Sequence, residues 1–295
     1  EKAGIGPEAV LGVSFSGMMM GCLPVDGAGK ALRPMILWAD TRADRQEREM
    51  IARAGMARGY RITGHRLSAS YSAAKLLWVR DNEPEVYEKT GKMLNAKDYF
   101  VFRLTGEFST DYSDASGTNL LDIEKKVWSD EMLRALDIPA RLLPPLHRSS
   151  DVIGGVTEEA ARATGLLAGT PVVLGGGDGS CACVGAGVVR PGRAYNVLGS
   201  SSWISLAAEK PLFDEEMRTF TWAHIVPGLY SPTGTMQAGG SSYNWLKGQV
   251  AKYETAVAKE QGISPYDLIN AEAAKSPVGA NGVLFLPYLL GDKIA

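Results

Sequence analysis

Residues 171–179 read Pro-Val-Val-Leu-Gly-Gly-Gly-Asp-Gly, and this stretch decides the fold class. A short apolar run closed by turn residues reads as a buried strand, so Pro171 to Leu174 is expected to end at the three glycines. Downstream, Gly192 to Ala207 holds two more strands around a turn at Gly199 to Ser202, and Val283 to Leu286 reads as another buried strand. A helix should follow Gly239-Gly240, because Tyr243, Leu246 and Val250 recur on one face.

Upstream, the pattern is mainly helical. Thr41 to Ala57 places Met50, Ile51 and Ala54 at helical spacing behind a cap at Asp40 or Thr41. Ser72 to Arg80, Ala96 to Leu104, Ser129 to Leu136 and Thr157 to Thr164 are further helices, with Ser129 and Thr157 supplying cap hydroxyls. Val10 to Ser14 and Leu32 to Trp38 are expected to pair as strands across the turn Asp26-Gly27-Ala28-Gly29. Strands and helices with glycines at strand ends make this an α/β chain, in which ligands sit beyond the carboxyl ends of strands. At 295 residues we expect two domains, divided near Arg190-Pro191-Gly192-Arg193 into 1–189 and 190–295.

The bulk numbers narrow the partners. The 31 basic and 33 acidic residues leave a net charge of −2, without the basic surplus that drives phosphate-backbone binding, so nucleic acid is not an expected partner. The longest nearly apolar run, Val283 to Leu290, is far short of the roughly 20 residues a membrane helix needs, and no membrane partner is expected. The first residues lack the order of a secretory signal, which makes a cytoplasmic location the expectation. Cys22, Cys181 and Cys183 do not form a disulfide framework, and Cys181-Ala182-Cys183 has no second ligand pair; buried small residues are the reading.

Several groups could carry chemistry. Asp178 follows a strand and is flanked by glycines, where a carboxylate can act as a general base; it could equally cap a helix over Ser180 to Gly187. Gly199-Ser200-Ser201-Ser202 is a turn of small residues that could present donors to a phosphate, or be an ordinary hairpin turn. Gly239-Gly240 before a helix invites the same reading, through the anion affinity of a helix N-terminus. Met18-Met19-Met20 either lines a pocket or fills the core. Trp38-Ala39-Asp40-Thr41-Arg42 combines an aromatic face, a carboxylate and a guanidinium, a set that suits a polyhydroxylated ligand or makes a surface ion pair. His65, His147 and His224 are scattered and are assigned no chemistry.

Taken together, these segments resemble the FGGY carbohydrate kinases, and among them the xylulokinase group. Ser16-Gly17-Met18-Met19-Met20-Gly21 is similar to that family's Ser-Gly-Gln-Met-His-Gly, and Leu37-Trp38-Ala39-Asp40-Thr41-Arg42 to its Leu-Trp-Asn-Asp-Thr-Arg. Ala74 to Val79, Lys97-Asp98-Tyr99, Leu104 to Glu107 and Thr110 to Thr118 are similar to xylulokinase segments as well. Gly176-Gly177-Asp178 resembles the family's catalytic-base motif, Leu198-Gly199-Ser200-Ser201 its Gly-Thr-Ser phosphate loop, and Ala238-Gly239-Gly240 with Trp245-Leu246 the opening of its second domain.

The resemblance implies a two-lobed, actin-like and ribonuclease-H-like α/β kinase fold with an incomplete second lobe. It implies Asp178 as base and as a water-mediated Mg2+ ligand, Met19, Met20, Trp38, Asp40 and Gly179 at the sugar, and Gly199, Ser200, Ser201, Gly239 and Gly240 at ATP. The expected partners are a small-molecule sugar and ATP, with a homodimer as the assembly to test. Met18 and Met20 stand where the family has Gln and His, and Gly179 where it has Asn, which widens the expected sugar from D-xylulose to other ketoses, polyols or sugar acids. By the same resemblance the chain starts after the family's Asp-x-Gly-Thr loop and stops at Gly291-Asp292-Lys293, similar to its Gly-Glu-Arg loop. A catalytically inactive sugar-binding or regulatory protein on the same scaffold is the alternative.

Overall fold

In the computed structural model, which describes residues 4–289, the run at Pro171–Val173 is a strand, and what it pairs with organises the larger part of the chain. On one side it runs antiparallel to Val152–Gly155. On the other, Val13 bridges Val172 in parallel, and a few residues on Ser16–Gly17 pairs in parallel with Gly176–Gly177. The helix Asp178–Gly185 starts immediately afterwards.

Glycine is required at the bend between the two paired segments. Gly175 has φ +72°, and a Cβ there would lie 2.0 Å from the Phe15 carbonyl oxygen. Any other residue would both strain the backbone and collide with the neighbouring strand.

The expected hairpin between Val10–Ser14 and Leu32–Trp38 is not formed. The turn at Asp26 to Gly29 does fold back, with the Asp26 carboxylate accepting from the amides of Ala28 and Lys30, both at 2.9 Å. It joins Cys22–Val25 to Ala31–Ile36 instead, through the Cys22–Ile36 and Val25–Ala31 bridges, while Leu23–Val25 also pairs with Lys92–Leu94. Of the earlier apolar run, Val13 bridges Val172 in parallel while Leu11 is 86% exposed, so the run pairs far along the chain and the Asp26 turn closes on its immediate flanks.

The helices over Ser72–Asn82, Ala96–Thr105, Asp130–Leu136 and Glu158–Thr164 form as expected, and the hydroxyls of Ser129 and Thr157 accept from the amides of Met132 and Ala160. Thr41–Ala57 is shorter than expected: the helix is Asp44–Ala54, with Ala43 and neither Asp40 nor Thr41 at the cap position. Gly55, at φ +77°, ends it and starts Met56–Thr63. The largest core gathers Met50, Leu76, Leu77, Leu133 and Leu136 between three of these helices, each side chain contributing about 1.5–3 kcal/mol by leaving water.

Val283 to Leu286 is not a buried strand. No strand is assigned to these residues, and Leu284 is 84% exposed; strand-type composition without a paired neighbour does not make a strand. Gly291-Asp292-Lys293 lies outside the described residues. Among the described residues, no helix is long and apolar enough to cross a membrane.

The chain divides into two compact units, Glu1–Tyr195 with Leu206–Thr233, and Asn196–Ser205 with Gly234–Ala295. The first holds the strands and helices above, together with the antiparallel pair Phe220–Ala223 and Tyr230–Thr233. The second carries the turn between Ala194–Leu198 and Ser202–Leu206 and three helices, Gly240–Gln249, Lys252–Gln261 and Pro265–Ala273, the first and last joined by Tyr243 and Tyr266 rings 4.9 Å apart.

Candidate active site

Asp178 is the first residue of its helix, with Gly177 in the cap position. The helix thus begins two residues earlier than Ser180. The carboxylate accepts the Gly179 amide at 2.8 Å, using one of the free donors of the first turn, and still faces solvent. Enough protein crowds it that desolvation raises its pKa, against the pull of the Gly179 amide. No cation is among the causes, so this acid holds a proton more readily than an ordinary aspartate.

Met19 lies beneath this turn. It is 5% exposed, and a Cβ on Gly177 would sit 2.5 Å from its Cγ and Sδ. Gly179 is close to it too, its ideal Cβ position being 4.0 Å from the same sulfur. Met19, Gly179 and Asp178 are therefore brought together, with the methionine supporting the turn from the buried side.

Met20 follows a different path. Its φ of +61° is a left-handed conformation, and its carbonyl accepts from the Nζ of fully buried Lys75 at 2.8 Å. Its side chain lies against Gly117 beside Trp222: a Cβ on Gly117 would be 3.1 Å from Met20 Cγ and 3.2 Å from Trp222 Cζ3. Trp222 packs against His65, with ring centres 4.4 Å apart, and His65 Nδ1 is 2.9 Å from the Tyr71 hydroxyl. This aromatic group was not anticipated, because its members are far apart in sequence and no local pattern links them.

Trp38 and Asp40 sit in one turn, where the Asp40 amide donates to the Leu37 carbonyl at 3.1 Å. Trp38 is 43% exposed, and Asp40 is held by Arg42 in a two-pronged ion pair with Nη2–Oδ2 at 2.6 Å and Nε–Oδ1 at 2.9 Å. The hydrogen bonds from Arg42 hold the Asp40 carboxyl below its usual range. Arg42 in turn lies 4.9 Å over the Trp78 ring. His224 is a structural histidine, with Nε2 2.9 Å from the Val188 carbonyl and Nδ1 accepting the Val226 amide, and burial lowers its pKa.

In the second unit the serine turn and the helix start are fastened to each other. The Gly240 and Ser241 amides donate to the carbonyls of Gly199 and Ser200 at 2.7 and 3.1 Å, and a Cβ on Gly240 would lie 2.5 Å from the Gly199 oxygen. Gly239 and Gly240 thus let the turn sit on the helix end, and two amides expected to face an anion are already used. The Ser200 and Ser201 hydroxyls stay at the turn without a hydrogen bond among the described residues, a donor set that fits phosphate oxygens.

The profile of the N-terminal domain of the FGGY family of carbohydrate kinases matches residues 1–185. The chain belongs to the FGGY family of carbohydrate kinases. It is 36% identical over 282 residues to the xylulose kinase of Bacillus subtilis (strain 168), covering 96% of this chain and 54% of that relative. It is 32% identical to the autoinducer-2 kinase of Yersinia enterocolitica, with the same coverage of 96% and 54%. Among solved structures, the xylulose kinase of Rhodospirillum rubrum superposes with a TM-score of 0.87 at 33% identity, covering 95% of this chain and 56% of that one. The FGGY chain described here therefore has the actin-like, ribonuclease-H-like fold of these sugar kinases, and spans about half the length of the curated relatives it matches.

Proposed function

We propose that the protein phosphorylates a hydroxyl of D-xylulose, or of a related ketose, polyol or sugar acid, with ATP as donor and Asp178 as general base. The observation that carries this reading is a solvent-facing carboxylate of raised pKa at the start of a helix, at the end of a glycine-bordered strand, in a chain of this family. Phosphoryl transfer asks little covalent chemistry of the protein, mainly an oriented acceptor and countered phosphate charge. Asp178 takes the hydroxyl proton as the new O–P bond forms and the bond from the γ-phosphorus to the β-phosphate oxygen breaks, releasing ADP.

In this assignment the 1–189 lobe binds the sugar through Met19, Met20, Trp38, Asp40 and Gly179. Met19 shapes the pocket from below, Met20 offers an apolar wall, and Trp38 and Asp40 present a ring face and a carboxylate. The 190–295 segment opens the nucleotide lobe, where the Ser200 and Ser201 hydroxyls hold phosphate oxygens and Gly199, Gly239 and Gly240 permit their close approach. Mg2+ supplies charge neutralisation on the phosphates when bound, and Asp178 would hold it through water. Relatives named for xylulose and for autoinducer-2 support a small polyhydroxylated acceptor. A cytoplasmic enzyme, with a homodimer as the assembly to test, completes the reading.

ADP release from the complete gene product over a panel of ketoses, polyols and sugar acids tests the activity. Turnover of at least one sugar is expected, with kcat reduced about 10²–10⁴-fold in Asp178→Asn. The acid limb of kcat/KM should lie above the ordinary aspartate range, because the base must be ionised and its pKa is raised. Sugar binding without turnover would favour the regulatory alternative that Met18 and Met20 suggest, and full activity in Asp178→Asn would remove the base assignment.

A further inference from the structure

Beneath the Asp178 turn lies a buried polar relay. Lys97 is fully buried, with Nζ 2.6 Å from Asp98 Oδ1, 2.9 Å from Asp111 Oδ1 and 3.4 Å from Asp114 Oδ2. The other oxygen of Asp111, Oδ2, accepts from the Ser113 amide at 2.9 Å, the Ser113 hydroxyl at 2.5 Å and the Ser149 hydroxyl at 2.7 Å. Asp111 caps the short helix Tyr112–Ser116 on which Ser113 sits.

These bonds fix the polarity of Ser113. Its only hydroxyl proton goes to Asp111, so the oxygen faces Gly177 as an acceptor and takes that amide at 3.0 Å. Gly177 immediately precedes Asp178. Two glycines of the parallel strands make room for the relay: a Cβ on Gly17 would be 2.6 Å from Lys97 Cβ, and one on Gly176 would be 3.0 Å from Ser113 Oγ. The close approach fastens the helix start to a buried charge.

We propose that Ser113 is a positioning residue for Asp178: through the Gly177 amide it transmits the fixed Lys97–Asp111 pair to the first residue of the helix and sets where the carboxylate points. The proposal rests on the reading of Asp178 as the base. A merely structural hydrogen bond would cost stability when removed and leave turnover per folded molecule unchanged. A positioning bond moves kcat, since a displacement of the order of an ångström at a reacting group can cost about 100-fold.

Ser149 supplies the comparison, because its hydroxyl bonds the same Asp111 oxygen and, unlike that of Ser113, not the Gly177 amide. The test measures kcat and KM of the complete gene product, well below each variant's Tm, for Ser113→Ala, Ser113→Cys, Ser113→Thr, Ser149→Ala and the double variant Ser113→Ala/Asp178→Asn. Ser113→Ala should lower kcat about 10–100-fold with sugar and ATP KM within about twofold. Ser113→Thr, which keeps the hydroxyl, should restore most of the rate, and Ser149→Ala should retain it. Adding Ser113→Ala to Asp178→Asn should cost nothing more, because the two act as a unit.

Should Ser113→Ala not fold, Ser113→Cys, with a weaker donor and acceptor of similar size, carries the test and should fall between alanine and wild type. Equal kcat in the serine-113 and serine-149 variants, or additive losses in the double variant, would overturn the positioning role while leaving the base in place. A fully active Asp178→Asn would instead remove the base, and the positioning role with it.

Discussion

Asp178 and the aspartates around Lys97 are separated by one hydrogen-bonded serine, yet they sit in opposite environments. Asp178 faces solvent, is bonded to a single neighbouring amide, and has its pKa raised by desolvation alone. Asp98, Asp111 and Asp114 are buried around one ammonium. Burial by itself would lower the Lys97 pKa, but the three carboxylates outweigh it and raise it. Burial likewise raises Asp98, and Asp114 far more, with Lys97 opposing in both. Asp114 is the most loosely paired of the three, with Lys97 Nζ 3.4 Å from its Oδ2, so burial dominates its shift. The contrast teaches that the chain concentrates its paired charge in the buried cluster and leaves the solvent-facing Asp178 carboxylate lightly held, as the proposed role of proton acceptor requires.

The strongest way to break this comparison is Lys97→Met. Removing the one cation leaves buried carboxylates uncompensated, at a cost of about 3–5 kcal/mol. The sign with pH follows from the raised pKa values: the folded state of the variant binds protons more tightly than the unfolded chain, so its stability should be highest at low pH and fall as pH rises through the folded-state pKa values. Denaturant unfolding at several pH values measures this, and a loss independent of pH would contradict the assignment of charge in the cluster.

A smaller effect separates two glycines of the Asp178 turn. Gly175→Ala should cost at least about 2 kcal/mol, from the left-handed φ and the contact with the Phe15 carbonyl. Gly179→Ala should cost under about 0.5 kcal/mol, because the nearest atom to its Cβ is the Met19 sulfur at 4.0 Å. Thermal unfolding of the two variants side by side checks the difference. Equal losses would mean that the turn is held by something other than the packing at Gly175.

What the sequence made legible follows the range of the interactions. The helices capped by Ser129 and Thr157 and the strand Pro171–Val173 were readable because their signals lie within a few residues of each other. The hairpin at Asp26 was readable as a turn, but its partners were not, because Val13 pairs with Val172, far along the chain. Gly55 was visible and still not read as a break, since the apolar spacing continues past it. At the candidate site, Asp178 could be singled out from its glycines. Lys97 stood in an expected helix and Ser113 in a segment noted for its similarity to a family, and neither was singled out, because a lysine and a serine have no local pattern that says they will meet beneath a strand. The meeting of Met20 with Trp222, His65 and Tyr71 is likewise a product of tertiary packing.

Asp40 supplies the mildest test, because it is a third setting for the same side chain. Its pKa is lowered chiefly by the hydrogen bonds from Arg42, so any stability it contributes is present above its unfolded-state pKa and is lost as pH falls through the lower folded-state value, the reverse of the trend at Lys97→Met. The pair is near the surface and screened, which limits the effect of Asp40→Asn on stability to under about 1 kcal/mol. If Asp40 also bonds sugar hydroxyls, the same variant should raise the sugar KM severalfold and leave the ATP KM alone. A change in kcat without a change in sugar KM would move Asp40 out of the sugar pocket and leave it as the partner of Arg42 alone.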